Sequence, residues 1–125
     1  MIIWLASYPK SGNTLLRSML SSYYFSKDGR FEFKLLKNIH QFPNISLFKN
    51  LNINTDDELE VVKNYIKVQQ IINKQDGNKL RFLKTHSSLN DINGYKFTDL
   101  NNSLGVIYIV RDPRNIVRSF ANHSQ

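Results

Sequence analysis

Residues 2–14 read Ile2-Ile3-Trp4-Leu5-Ala6-Ser7-Tyr8-Pro9-Lys10-Ser11-Gly12-Asn13-Thr14. Five apolar residues are closed by a Ser-Tyr-Pro turn. A short, unbroken apolar run of this kind suits a fully buried parallel strand. Beyond Gly12 the pattern changes period. Thr14 to Phe25 reads as a helix, with Leu15, Leu16, Met19 and Leu20 on one broad face. A strand that passes through a tight turn straight into a helix aims backbone N–H groups at the helix N-terminus, where the helix dipole also favours an anion. Gly12 lets backbone approach an oxyanion closely. Ser11 and Thr14 add hydroxyl donors, and Lys10 a cation. The lysine precedes the only glycine of the turn, so the loop does not have the Walker A order.

Further along the chain, residues 26–54 carry scattered aromatics and several Asn and support no assignment. Thr55-Asp56-Asp57-Glu58 has the form of a capping box. It precedes one long helix whose stripe of Leu59, Val62, Ile66 and Ile72 runs to about Gln75, with Gly77 as the stop. Leu80 to Thr85 reads as a second strand. Gly105 to Val110 is a third, nearly all apolar and so expected at the centre of the sheet. Asp112-Pro113 supplies an N-cap and first-turn pair for a last helix, expected to be still running at Gln125. Strands alternating with helices predict an α/β fold of the P-loop three-layer type, a parallel sheet flanked by helices. In such sheets ligands bind beyond the carboxyl ends of the strands. Ser7 to Thr14, Lys84 to His86 and Arg111 to Ser119 should therefore face one crevice.

The chain has 125 residues, 41% hydrophobic and 22% charged, which suits one globular domain and argues against wholesale disorder. Its net charge of +7 favours anionic partners without choosing among them. It has no cysteine, which excludes disulfides, Cys-ligated zinc and thiol chemistry and fits a reducing compartment. The apolar start lacks a basic leader and reads as a strand, not a signal peptide. No apolar stretch reaches membrane-spanning length. The expected location is the cytoplasm.

Two further segments carry chemistry. His86 follows a strand end at Leu83-Lys84-Thr85-His86, and histidine suits proton abstraction near neutral pH. His40 and His123 have no such setting. Arg111 ends the third apolar strand, where a guanidinium fork matches a phosphate. Ser119 lies about two helical turns on. The plain alternative is an Arg111 paired with a nearby carboxylate and an exposed Ser119.

Tyr8 to Thr14 resembles the 5'-phosphosulfate loop of sulfotransferases that use PAPS (3'-phosphoadenosine 5'-phosphosulfate). Arg111 to Ser119 resembles the 3'-phosphate motif of that family, and Lys84-Thr85-His86 the segment holding its catalytic histidine. The three motifs stand in the family's order. The resemblance implies transfer of a sulfuryl group from PAPS to a hydroxyl or amine acceptor, leaving PAP. It implies His86 as base, Lys10 on the leaving oxygen and Lys84 on the transferring group. It assigns Lys10, Ser11, Gly12, Asn13 and Thr14 to the 5'-phosphosulfate, and Arg111 and Ser119 to the 3'-phosphate. No metal is expected, because lysines and loop amides supply the positive field. Leu15 stands where the family often has an adenine-stacking aromatic. The family's later Arg-Lys-Gly segment is absent, and its domain is typically about twice this long. Residues 1–125 are thus expected to be the N-terminal part of a single such domain, incomplete at the C-terminus and inactive alone.

The alternatives are a P-loop nucleotide kinase or NTPase, and a non-catalytic fragment that binds nucleotide or nucleic acid. The Lys-before-Gly order and the lack of a Walker-B-type Asp disfavour the first. No aromatic-interleaved basic stripe supports the second, so no nucleic-acid partner is expected. Carbohydrate, lipid, small-molecule and protein acceptors all remain open at this stage.

Overall fold

The computed structural model describes residues 1–75, 77 and 79–122. Its frame is a three-stranded parallel sheet in the order β2-β1-β3, built from β1 (Ile2–Ser7), β2 (Arg81–Thr85) and β3 (Ser103–Ile109). β1 pairs with both neighbours. Ala6 lies opposite Thr85, and Ser7 opposite Ile109, so the three strands end level.

Alternation along β1 divides the core in two. Ile2 and Trp4 face one side with Leu83 of β2, and Phe42, Tyr65, Val68, Ile72 and Phe97 cover them. Leu5 and Phe82 face the other, with Ile3, Leu16 and Leu20 packed on them. Helix α1 (Asn13–Phe25) therefore covers one face and α3 (Tyr65–Gln75) the other, which gives the three-layer α/β arrangement expected. Only half of the predicted α1 stripe is used. Leu16 and Leu20 pack, while Leu15 and Met19 are exposed.

The long helix predicted from the capping box is two helices. α2 (Glu58–Lys63) is capped by Asp57, whose carboxylate accepts from the Leu59 N–H, so the start falls two residues after the predicted Thr55. Asn64 breaks the run: its side chain donates to the Glu60 carbonyl at 2.8 Å, and its backbone leaves the helical region. An Asn hydrogen-bonding its own helix competes with the helix ladder. Gly77, at φ 59°, provides the stop.

β3 is an edge strand of the described sheet, not its centre; β1 holds that place. An all-apolar run reports that both faces seek cover, but not how many neighbours the strand has. Val106 and Tyr108 are exposed on it.

Residues 26–54 form two short 3₁₀ turns, Phe33–Asn38 and Ile45–Leu47, and bury Ile39, Phe42 and Phe48. The His40 carbonyl accepts from the Lys84 N–H, and the Phe42 N–H donates to the Lys84 carbonyl, so this segment covers the outer edge of β2. The last helix, α4 (Pro113–Ala121), is capped by Asp112, as expected. The predicted continuation to Gln125, and His123, lie outside the described residues.

Candidate active site

The loop between β1 and α1 is held by Asn13. Its buried side-chain amide donates to the Leu5 carbonyl at 2.9 Å and to Ser7 Oγ at 3.2 Å. This ties the first turn of α1 to the end of β1. Gly12 is the N-cap of α1 at φ 104°, a conformation L side chains rarely adopt, and no side chain caps the helix. No acidic residue stands in its first turn. The leading N–H groups therefore open onto the loop. Lys10 also has positive φ, 64°.

Both other motifs are fastened to this loop. Arg111 Nη1 donates to the Lys10 carbonyl at 2.9 Å, across 101 residues of chain. The carboxylate pairing considered for Arg111 gives way to this contact; Asp112 binds Arg114 instead, at 2.7 Å. His86 Nδ1 lies 2.7 Å from the Ser7 carbonyl, across 79 residues. A carbonyl can only accept, so the neutral ring carries its proton on Nδ1. Nε2 is then the basic nitrogen.

Lys84 stands apart from these. It follows the Leu5 register position on the face toward α1, and its Nζ donates to Gln41 Oε1 at 3.1 Å. Burial and the nearby Arg17 cation hold its ammonium below the usual lysine range. Arg17 is itself anchored on the Leu36 and Ile39 carbonyls. Ser119 is half-buried on α4, and Thr14 is exposed at the start of α1.

The loop fits an oxyanion. Ser11 Oγ is buried without a hydrogen-bond partner among the described residues, as is the acceptor Asn13 Oδ1. An orphaned buried hydroxyl costs stability. A phosphate oxygen in the loop would give Ser11 its partner. A Cβ added at Gly12 would meet nothing within 4 Å, so the space beside the loop backbone is open. Asp112, the N-cap of α4, is occupied by the Arg114 N–H and guanidinium.

The sulfotransferase domain profile matches residues 2–125. The chain belongs to the sulfotransferase domain family. No curated protein and no solved structure gives a significant match. In this sulfotransferase domain, the part played by the Ser7 carbonyl and all of Gln41 escaped the reading of the sequence. Ser7 acts through its carbonyl, which every residue has, and Gln41 reaches Lys84 from a stretch without regular pattern. Among the described residues no helix is long and apolar enough to cross a membrane, and no group of acidic or His side chains is placed to hold a metal ion.

Proposed function

We propose that the protein transfers a sulfuryl group from PAPS to an acceptor hydroxyl or amine in the crevice beyond β1, β2 and β3. The observation that carries this reading is the attachment of Arg111 and His86, from two other strand ends, to the Lys10 carbonyl of the loop and the Ser7 carbonyl at the end of β1. An anion loop, a phosphate-matching guanidinium and a base thus share one crevice. The bound donor supplies an activated sulfuryl group carried on a phosphate.

The N–H groups around Ser11, Gly12, Asn13 and Thr14, with the Ser11 hydroxyl, cradle the 5' end of the donor. Lys10 offsets the charge that develops on the leaving oxygen, and Lys84, once released from Gln41, that on the transferring group. Such transfers depend on positioning and charge stabilisation more than on covalent chemistry. His86 takes the acceptor proton on Nε2 while the Ser7 carbonyl holds its Nδ1–H. Arg111 and Ser119 bind the 3'-phosphate, the group that separates PAPS from ATP. The residues meet these needs without a metal ion. A cytoplasmic location belongs to the same reading, supported by the absence of cysteine.

Calorimetric titration with PAP and with AMP tests the assignment. PAP should bind much more tightly, and Ser11→Ala should weaken PAP without lowering the melting temperature, since it removes an orphaned buried hydroxyl. Equal affinities for PAP and AMP would remove the 3'-phosphate assignment.

A further inference from the structure

A cavity of about 260 Å³ lies outside the crevice, lined from the 3₁₀ turn at Ile45–Leu47, from α2 and from α3. It takes no residue from the loop, His86 or Arg111 segments. Its apolar lining is Pro43, Ile45, Phe48 and Val61. Thr55, Asp56, Glu58 and Tyr65 supply the polar groups. No Lys, Arg or His is among its lining residues.

The charges at this cavity are uncompensated. The chain carries 17 Lys and Arg against 10 Asp and Glu, yet it delivers no cation here. The neighbouring acids are engaged: Asp57 caps α2, and Glu60 pairs with Lys63 at 3.2 Å. Asp56 and Glu58 have neither an ion pair nor a side-chain hydrogen bond among the described residues. Glu58, in the first turn of α2, also suits the helix dipole. The dipole does not account for Asp56, which precedes the cap, or for Tyr65. Tyr65 is only 7% exposed, with its ring held edge-on by Phe42 and Phe97 at 5.3 and 5.8 Å. A phenol buried this deeply normally has a hydrogen-bond partner. The Tyr65 hydroxyl has none among the described residues. Burial, and after it the Glu58 carboxylate, hold the phenol above the usual tyrosine range. The ring is thus fixed in the core while its hydroxyl end reaches the cavity beside Glu58.

We propose that this cavity binds a primary alkylammonium group, carried by a free amine or by a lysine side chain. The groups it presents are acceptors: two carboxylates and the phenol oxygen. An ammonium head brings three donors, one for each. A guanidinium would bring five donors to three acceptors, and a quaternary ammonium none. The alkyl stem lies against Ile45, Phe48 and Val61. The Phe48 and Tyr65 rings, with centroids 6.2 Å apart, add ring surface that attracts a cation. The volume suits one short stem and falls below the range of larger small-molecule sites, about 300–1,000 Å³. A hard metal ion calls for more oxygen ligands, and among the described residues no three acidic or His side chains converge. The site stands independently of the sulfotransferase reading, because the two share no residue.

The test is titration of the protein with n-pentylamine, followed by amide chemical shifts in nuclear magnetic resonance. n-Pentanol, tetramethylammonium and Nα-acetyl-lysine methylamide serve as comparison probes. Pentylamine should bind saturably, shift the amides of residues 45–65, and bind at least about tenfold more tightly than pentanol or tetramethylammonium. Tighter binding of the lysine derivative than of pentylamine identifies a lysine side chain as the source, and the reverse a free amine. A variant carrying both Asp56→Asn and Glu58→Gln, two exposed positions, should weaken pentylamine at least about tenfold. Asp91→Asn, exposed and outside the cavity, should leave it unchanged. Tyr65→Phe should weaken pentylamine without lowering the melting temperature, since the hydroxyl it removes has no partner in the fold. None of these variants should alter PAP binding. The proposal is overturned if pentylamine does not bind saturably, or if pentanol or tetramethylammonium binds as tightly. It is overturned equally if the Asp56→Asn, Glu58→Gln protein or the Tyr65→Phe protein binds pentylamine normally, or if Asp91→Asn weakens it as much as the double change.

Discussion

In the proposed reaction His86 accepts a proton, and a contact that has nothing to do with acidity prepares it: the Ser7 carbonyl, 2.7 Å from Nδ1, selects the tautomer. A base acts on the acceptor and not on the donor. His86→Ala should therefore lower turnover by about 10²–10⁴-fold and leave PAP affinity nearly unchanged. Rates in single-turnover assays and calorimetric affinities for PAP, measured side by side, check this. A fully active variant would return His86 to a structural role. So would one that loses PAP binding together with turnover. The residue types were visible in the sequence, but the tautomer was not, because a backbone carbonyl leaves no mark on residue identity.

At the scale of elements, the turn from β1 into α1 carries the most specific constraint. Gly12 occupies φ 104° with open space around its missing side chain. Gly12→Ala should therefore cost stability through backbone conformation alone, about 1–2 kcal/mol, with no steric clash to add. Denaturant titration measures it. An unchanged midpoint would mean that the loop relaxes to another conformation, and PAP binding should then suffer instead. The strand-turn-helix was legible because a five-residue apolar run, a Pro-containing turn and a glycine each point the same way. Element boundaries elsewhere were less so. The break at Asn64 divides α2 from α3 through a side-chain bond to Glu60, a choice that helix periodicity does not record.

At the scale of the molecule, the core depends on a residue that no pattern marked. Phe42 is fully buried and meets the rings of Trp4, Phe48, Tyr65 and Phe97, at centroid distances of 5.3 to 6.0 Å. Phe42→Ala should cost about 3–5 kcal/mol, a large part of the roughly 5–15 kcal/mol that holds an ordinary domain together. Thermal melting should show a large fall or outright unfolding. A loss below about 1 kcal/mol would mean that neighbouring rings refill the space. The sequence by itself determined the parallel α/β plan, the loop at Tyr8–Thr14 and the three segments that meet in the crevice, because each is written in local period, turn chemistry and spacing. Only the tertiary structure decided that β1 and not β3 is central, that residues 26–54 supply core aromatics, and that Trp4, Phe97 and Tyr108 line one cavity beside His86. Those outcomes turn on which distant surfaces meet, and contacts across 79 or 101 residues of chain have no local signature to read.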